Sequence, residues 1–386
     1  MSWTDGFIFD LPEEERMAQE TARAFAENEV LPLAAKIDQE HYFPKELIPK
    51  MASLGLMGAF VPPEYEGAGL SVLAYCLMVE ELAAACASTA IVMSAHNSLC
   101  ISPILAYGSE EQKKRYLPEL ASGKKIGCFA LSEPGCGSDA ASLSCRVEKQ
   151  GDDYIINGAK NWITNGPVAD TCVLFATHDV HGGHKAVSAF VHEMNLPGIS
   201  RGKLEDKLGI CGSPTCGLIY ENVKLSQANI LAGERGGFKV AMNTLNGGRL
   251  GVASQAVGIG RAALRDALAY SKERRTFDKP ICEHQSIQNY LADMITELDA
   301  ARYLTLSAAR LKDSGKPFIR QAAMAKLYAS EAAMRASIKG VQIHGGYGYV
   351  RDFPAERHMR DAKITEIYEG TSEIQRLVIA SHLVKE

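Results

Sequence analysis

Near the C-terminus one carboxylate, Glu369, lies between the apolar-aromatic pair Ile367-Tyr368 and Gly370. Apolar neighbours penalise the charged form and raise a carboxylate's pKa towards the range useful to a general base. Gly370 has no Cβ, so a ligand can approach the backbone closely there. Ser372 with Gln375 three residues on reads as a capping box that opens a last helix, from Glu373 to about Val384. A helix start offers N–H groups and partial positive charge to an anionic or electron-rich ligand. Proton abstraction beside such a ligand fits these residues; an ordinary loop before a capped helix fits them too.

Other stretches carry chemistry of a different kind. Phe129-Ala130-Leu131-Ser132 runs into Glu133-Pro134-Gly135-Cys136-Gly137-Ser138-Asp139, where hydroxyls and backbone can hydrogen-bond a planar heterocycle or a phosphate. Trp162-Ile163-Thr164 offers a large ring beside a hydroxyl, either core with a polar edge or a stacking surface. Arg274-Arg275-Thr276-Phe277 closes a long helical pattern with cation and aromatic, apt for a pyrophosphate. Gln342-Ile343-His344-Gly345-Gly346 stops another with glycines. Gly258-Ile259-Gly260-Arg261-Ala262-Ala263 matches a dinucleotide fingerprint but follows a helical rather than a strand pattern, so close helix contacts explain its small residues better. His178, His181 and His184 lack a carboxylate or Cys to complete a metal site and read as a solvated loop; no metal is expected.

The elements that must position these residues fall into three parts. Residues 1–124 are rich in Ala, Leu and Glu at helical spacing, with Ser109 and Gln112 as a cap signal. Residues 125–233 carry short β patterns at 173–176, 189–191 and 218–220, and Asn157-Gly158 between 154–156 and 159–164 signals a hairpin turn. Residues 234–386 return to the helical period in long segments at 251–274, 285–311 and 317–343. Hydrophobic content of 46%, charged content of 23% and a net charge of −5 are those of a soluble globular protein, and they argue against nucleic acid or an anionic membrane as the partner. No apolar run approaches the length of a membrane span, and Met1 to Glu15 lacks a targeting pattern, so a cytoplasmic protein is expected. Ten cysteines without a Cys-x-x-Cys pair read as reduced, buried hydrophobes.

As a set, five stretches in order resemble the acyl-CoA dehydrogenase family over nearly the whole chain: 131–139, 157–166, 274–277, 342–346 and 367–371. The resemblance implies a mainly α fold with a β domain: an N-terminal helical domain, a β-barrel-like middle domain and a C-terminal four-helix bundle. It implies an FAD flavoprotein oxidoreductase of fatty acid metabolism that forms the 2-enoyl-CoA from an acyl-CoA. Glu369 is the implied catalytic base, its backbone N–H and a flavin hydroxyl facing the thioester oxygen. Phe129, Leu131, Ser132, Trp162 and Thr164 would line the flavin. Arg274, Phe277, Gln285, Gln342, Gly345 and Gly346 would hold the adenine and pyrophosphate end, partly from a neighbouring subunit, with Thr371 and Glu373 closing over the cofactor. Ser138, Asn246, Arg249, Gln255 and Gly370 would contact the substrate. An electron-transferring flavoprotein and a homotetramer (a dimer of dimers) are likewise implied.

The chain departs from the family's pattern at Asn246, where Asp is usual, at Cys211, where Arg is frequent, and at Asp278, where Gly is usual. Ala253-Ser254-Gln255-Ala256 resembles the short-chain members, where a bulky amide plugs the acyl pocket; a butyryl-like, branched or cyclic short acyl group is expected. No arginine for a distal carboxylate stands in Cys86-Ala87-Ser88-Thr89-Ala90. The alternatives are a flavin oxidase of the same fold and a non-enzymatic DNA-binding relative with a basic extension.

Overall fold

The computed structural model describes residues 11–384. The expected absence of a leader therefore rests in part on residues outside the described ones.

Twelve α-helices and ten strands follow in chain order among the described residues. Helices α1 (Glu13–Phe25), α2 (Ala34–Gln39), α3 (Leu47–Ser53), α4 (Val72–Ala85), α5 (Ala87–Ala95), α6 (Ser102–Tyr107) and α7 (Glu110–Ala121) come first. Strands β1 (Gly127–Ala130), β2 (Arg146–Gln150), β3 (Asp153–Thr164), β4 (Thr171–Thr177), β5 (Val187–Glu193), β6 (Ile199–Leu204), β7 (Thr215–Ser226) and β8 (Ile230–Leu231) follow. Then come α8 (Gly237–Glu273), β9 (Arg275–Thr276), β10 (Lys279–Pro280), α9 (Gln285–Asp313), α10 (Ile319–His344), α11 (Ala355–Thr365) and α12 (Ser372–Leu383). The architecture is thus mainly helical with a β sheet in the middle, as the resemblance implies.

Ser109 and Gln112 form the expected capping box of α7. The apolar stretch Ala87–Tyr107, comprising α5, a π-helical turn at His96–Ile101 and α6, corrects the expectation that no segment is long enough to span a membrane. It passes on length and hydropathy, yet 78% of its most apolar window is buried inside the protein, as befits a core helix.

The sheet runs β6-β7-β3-β2-β4-β5-β8, with β1 parallel to β4. Asn157-Gly158 is not the expected hairpin turn. β3 continues through it as one strand with a bulge, Gly158 lies at φ +151° and the chain reverses instead at Gly151. A second register shift between Lys160 and Ile163 puts Trp162 at φ +60°, so its ring leaves the strand's alternation and is 61% exposed. That excludes the core reading of this tryptophan.

Helix α8 is the axis of the C-terminal bundle and packs on α4, α9, α10 and α11. Its glycines at 258 and 260 do serve close helix contacts: a Cβ there would lie 2.3 Å from the Glu80 carbonyl oxygen and from Leu298 Cδ2, respectively. Buried ion pairs of Glu80 with Arg261 and Arg302 join α4 to α8 and α9.

Candidate active site

Helix α11 ends at Thr365, and the chain turns through 366–371 into α12. Glu369 (φ +52°) and Gly370 (φ +93°) are both left-handed, a conformation that costs a non-glycine residue and persists only where the surroundings impose it. Three side chains do so. Tyr368 donates its hydroxyl to Gln255 Oε1 on α8. Gln375 Nε2 donates to the carbonyls of Glu369 (3.3 Å) and Gly370 (2.8 Å), and Lys326 Nζ on α10 donates to the Gly370 carbonyl (2.8 Å). The cap differs from expectation by one residue. Thr371 is the N-cap, its hydroxyl accepting from the Ile374 N–H, while Ser372 is already helical and Gln375 serves the turn instead.

Oxygen Oε2 of Glu369 is shielded from solvent and has no hydrogen-bond partner within the protein. Burial pushes its pKa up to about 7, and nearby Lys326 and Arg249 oppose the rise. The carboxylate lies against α8 at Gly248, where a Cβ would sit 1.9 Å from Oε2 and 3.2 Å from Leu99 Cδ2. Only glycine leaves room for the carboxylate there.

Positions 248, 251 and 255 share one face of α8 by their i, i+3, i+7 spacing. Gly248 meets Glu369; Gly251 meets Tyr75 and Ser94, whose hydroxyls lie 2.7 Å apart. Gln255, fully buried, closes the row by accepting from Tyr368 and donating to the Ala87 carbonyl. Seven residues at 1.5 Å each put Gln255 about 10 Å beyond Gly248 along the helix. Two residues the other way, Asn246 Oδ1 accepts from Arg249 Nη1 at 2.7 Å. Burial lowers the Arg249 pKa against the pull of Glu369.

The π-helical turn links this region to the sheet. Leu99 touches Gly248's side of α8, while His96 Nδ1 accepts from the Gly127 N–H of β1 (2.9 Å) and its other nitrogen meets the Leu120 carbonyl (3.1 Å). Leu131 is buried, and Phe129, Ser132 and Thr164 are half-buried. The Asn161 N–H donates to the Ser132 carbonyl, which brings 129–132 beside 162–164. A fully buried ion pair fixes this junction: Lys160 Nζ meets Glu133 Oε1 at 2.7 Å and donates to the Leu131 carbonyl, while Glu133 accepts from Ser144 and Cys145. Ser138 is exposed on the loop beyond.

A third group stands apart. Arg274, Phe277, Gly345 and Gly346 line an open cavity of about 870 Å³ with Tyr270 and His344. Phe277 (φ +48°) and Asp278 (φ +62°) form the two-residue turn between β9 and β10, and the Phe277 ring is 90% exposed. Gln285 and Gln342 are exposed beside this cavity rather than in its lining, and Glu373 is exposed at the start of α12.

The acyl-CoA dehydrogenase N-terminal, middle and C-terminal domain families match residues 12–124, 128–223 and 235–384. The chain belongs to the acyl-CoA dehydrogenase family. The human mitochondrial short-chain specific acyl-CoA dehydrogenase is 52% identical over 97% of this chain and 91% of its own length. Butyryl-CoA dehydrogenase from Megasphaera elsdenii superposes with a TM-score of 0.96 at 46% identity, over 97% of this chain and 99% of that one. A chain from a structure described as the electron transferring flavoprotein of Acidaminococcus fermentans gives 0.96 at 47%, over 98% and 100%. Acyl-CoA dehydrogenases are FAD-dependent oxidoreductases.

Within an acyl-CoA dehydrogenase frame, the cavity's cation, glycine backbone and exposed ring suit the pyrophosphate and adenine half of FAD, and the exposed Trp162 ring suits a stacked heterocycle. The residues present fit the cofactor. Sequence reasoning missed Gly248, Lys326, and the Glu133–Lys160 pair. The last had a signal: two opposite charges inside otherwise uncharged or apolar stretches. Two of the departures also have physical accounts. Beside Cys211, the Arg360 guanidinium occupies the space, reaching Cys211 Sγ, the Leu208 carbonyl and Asp38 (2.6 Å). Asp278 occupies a left-handed turn position that glycine adopts at lower cost.

Proposed function

We propose that this chain dehydrogenates a short-chain acyl-CoA, linear, branched or cyclic, to the 2-enoyl-CoA, with FAD as cofactor and an electron-transferring flavoprotein as electron acceptor. Its domains are residues 1–124, 125–233 and 234–386, and it works as a homotetramer. The observation that carries this reading is the unpartnered Glu369 oxygen, held in a strained turn against a helix glycine.

Bound FAD supplies the hydride acceptor. The chain's own residues do the rest. Glu369 takes the proton from the substrate's α-carbon, and its raised pKa makes it a stronger base than an exposed carboxylate. The Glu369 backbone N–H faces the thioester oxygen, where negative charge grows in the transition state. Arg249 and Asn246 meet the CoA arm with Ser138, and Asn246 offers there a neutral amide rather than a charge. Gln255 closes the acyl slot, and each excluded methylene forfeits about 0.8 kcal/mol of burial. Phe129, Leu131, Ser132, Trp162 and Thr164 hold the flavin ring. Arg274, Phe277, Gly345 and Gly346 hold its far end, with Gln285, Gln342, Thr371 and Glu373 reaching cofactor or subunit neighbours. The human and Megasphaera relatives support the short-chain reading, and the Acidaminococcus structure supports the acceptor.

Anaerobic titration of the yellow protein with acyl-CoAs of increasing length tests the proposal. Butyryl-CoA should bleach the flavin faster than octanoyl-CoA, and Glu369→Gln should abolish bleaching with FAD still bound. Full-rate bleaching in that variant would refute the base assignment.

A further inference from the structure

Lys326 lies on α10 with 0% exposure, and its Nζ donates to the Gly370 carbonyl at 2.8 Å. A buried ammonium is costly, because desolvation penalises its charge and one carbonyl bond does not replace its water shell. The same carbonyl already accepts from Gln375 at 2.8 Å, so holding this turn does not by itself call for a cation. What an amide cannot supply is a positive field on the carboxylate one residue earlier.

We propose that Lys326 is a positioning residue for the base, its ammonium both pinning the Glu369–Gly370 turn and setting the pH at which Glu369 becomes competent. This rests on the reading of Glu369 as the base. The charged and titratable groups facing Glu369 come from three other elements: Lys326 on α10, Arg249 on α8 and Tyr75 on α4, with Tyr368 its chain neighbour. Lys326 in turn faces Glu369, Arg249, Glu366 and Glu373. Burial lowers the lysine's pKa to about 8, with Glu369 the largest opposing influence. Each group therefore favours the charged form of the other, and the two are coupled.

The sign follows from charge. A nearby cation favours the carboxylate, so removing it raises the Glu369 pKa above about 7. In Lys326→Gln the donor to Gly370 is kept and the charge is lost. The acid limb of kcat/KM for butyryl-CoA should move up by about one pH unit while FAD stays bound. Lys326→Met, which loses both, should show the same shift and a further fall in kcat. A purely structural lysine would lower the melting temperature in both variants and leave the acid limb in place, which overturns the proposal. A measurement on the unsubstituted holoprotein guards against variants that do not fold. The Glu369 side-chain carboxyl, followed by carbon NMR without substrate, should titrate in two steps, the second as Lys326 deprotonates near pH 8. A single step overturns the coupling. Failure of the underlying reading shows differently, as bleaching that survives Glu369→Gln.

Discussion

Replacing Gly248 by alanine should separate activity from stability. The added Cβ would lie 1.9 Å from Glu369 Oε2 and 3.0 Å from its Cδ, with Leu99 Cδ2 next at 3.2 Å. Contact becomes ordinary at 3.4 Å, so the carboxylate oxygen must retreat by about 1.5 Å. The obstructing atoms end a side chain with three rotatable torsions rather than belonging to fixed backbone, so Glu369 moves and α8 does not. Folding should lose less than the roughly 1–3 kcal/mol typical of overpacking a core. Proton abstraction should suffer far more, since a misplacement of about 1 Å costs on the order of 10²-fold in rate. The assay is single-turnover flavin reduction by butyryl-CoA, with thermal melting and FAD retention as controls. A variant with parental kcat, or one that loses activity only because it no longer folds, would refute the reasoning.

Gln255→Ala should lengthen the acyl slot, raising kcat/KM for hexanoyl- relative to butyryl-CoA by roughly tenfold for two methylenes at about 0.8 kcal/mol each; unchanged selectivity would place the floor elsewhere. The neutral form of His96 carries a pH dependence of stability. Burial lowers its pKa from 6.5 to about 4, so the unfolded chain takes up this proton first. The associated stability is complete above pH 6.5 and is lost as pH falls through about 4, amounting to about 3 kcal/mol. Denaturant midpoints across that window should slope less in His96→Gln, and an equal slope would assign the loss to other groups.

The three-part order was legible because it lives in local pattern, helical against alternating spacing, and so was the apolar setting that raises the Glu369 pKa, since an apolar-aromatic pair and a glycine flank it in sequence. The turn at 157–158 was misread because cross-strand pairing with β7 absorbed it as a bulge, and pairing is not local. Trp162 gave no clue to its exposure, since that follows from a register shift between two strands distant in sequence. Gly248 and Lys326 reach the turn at 369–370 only through packing of α8 and α10, over separations that spacing cannot show. The cavity residues Arg274, Phe277 and the stretch ending in Gly345-Gly346 stood out, whereas the lining by Ser286 in place of Gln285, and the absence of Gln342 from it, depended on helix phase.

The unbroken 37-residue length of α8 makes it a gauge rod. On the proposed reading, the seat of the base, the end stop of the slot and, past its last turn, the anchoring arginine are marks on a single stiff ruler rather than points on separate parts. Adapting such an enzyme to longer tails would then need no relocation of its reactive centre. Moving the stop one helical turn towards Glu273 deepens the slot by about 5.4 Å and leaves the proton's departure point where it was.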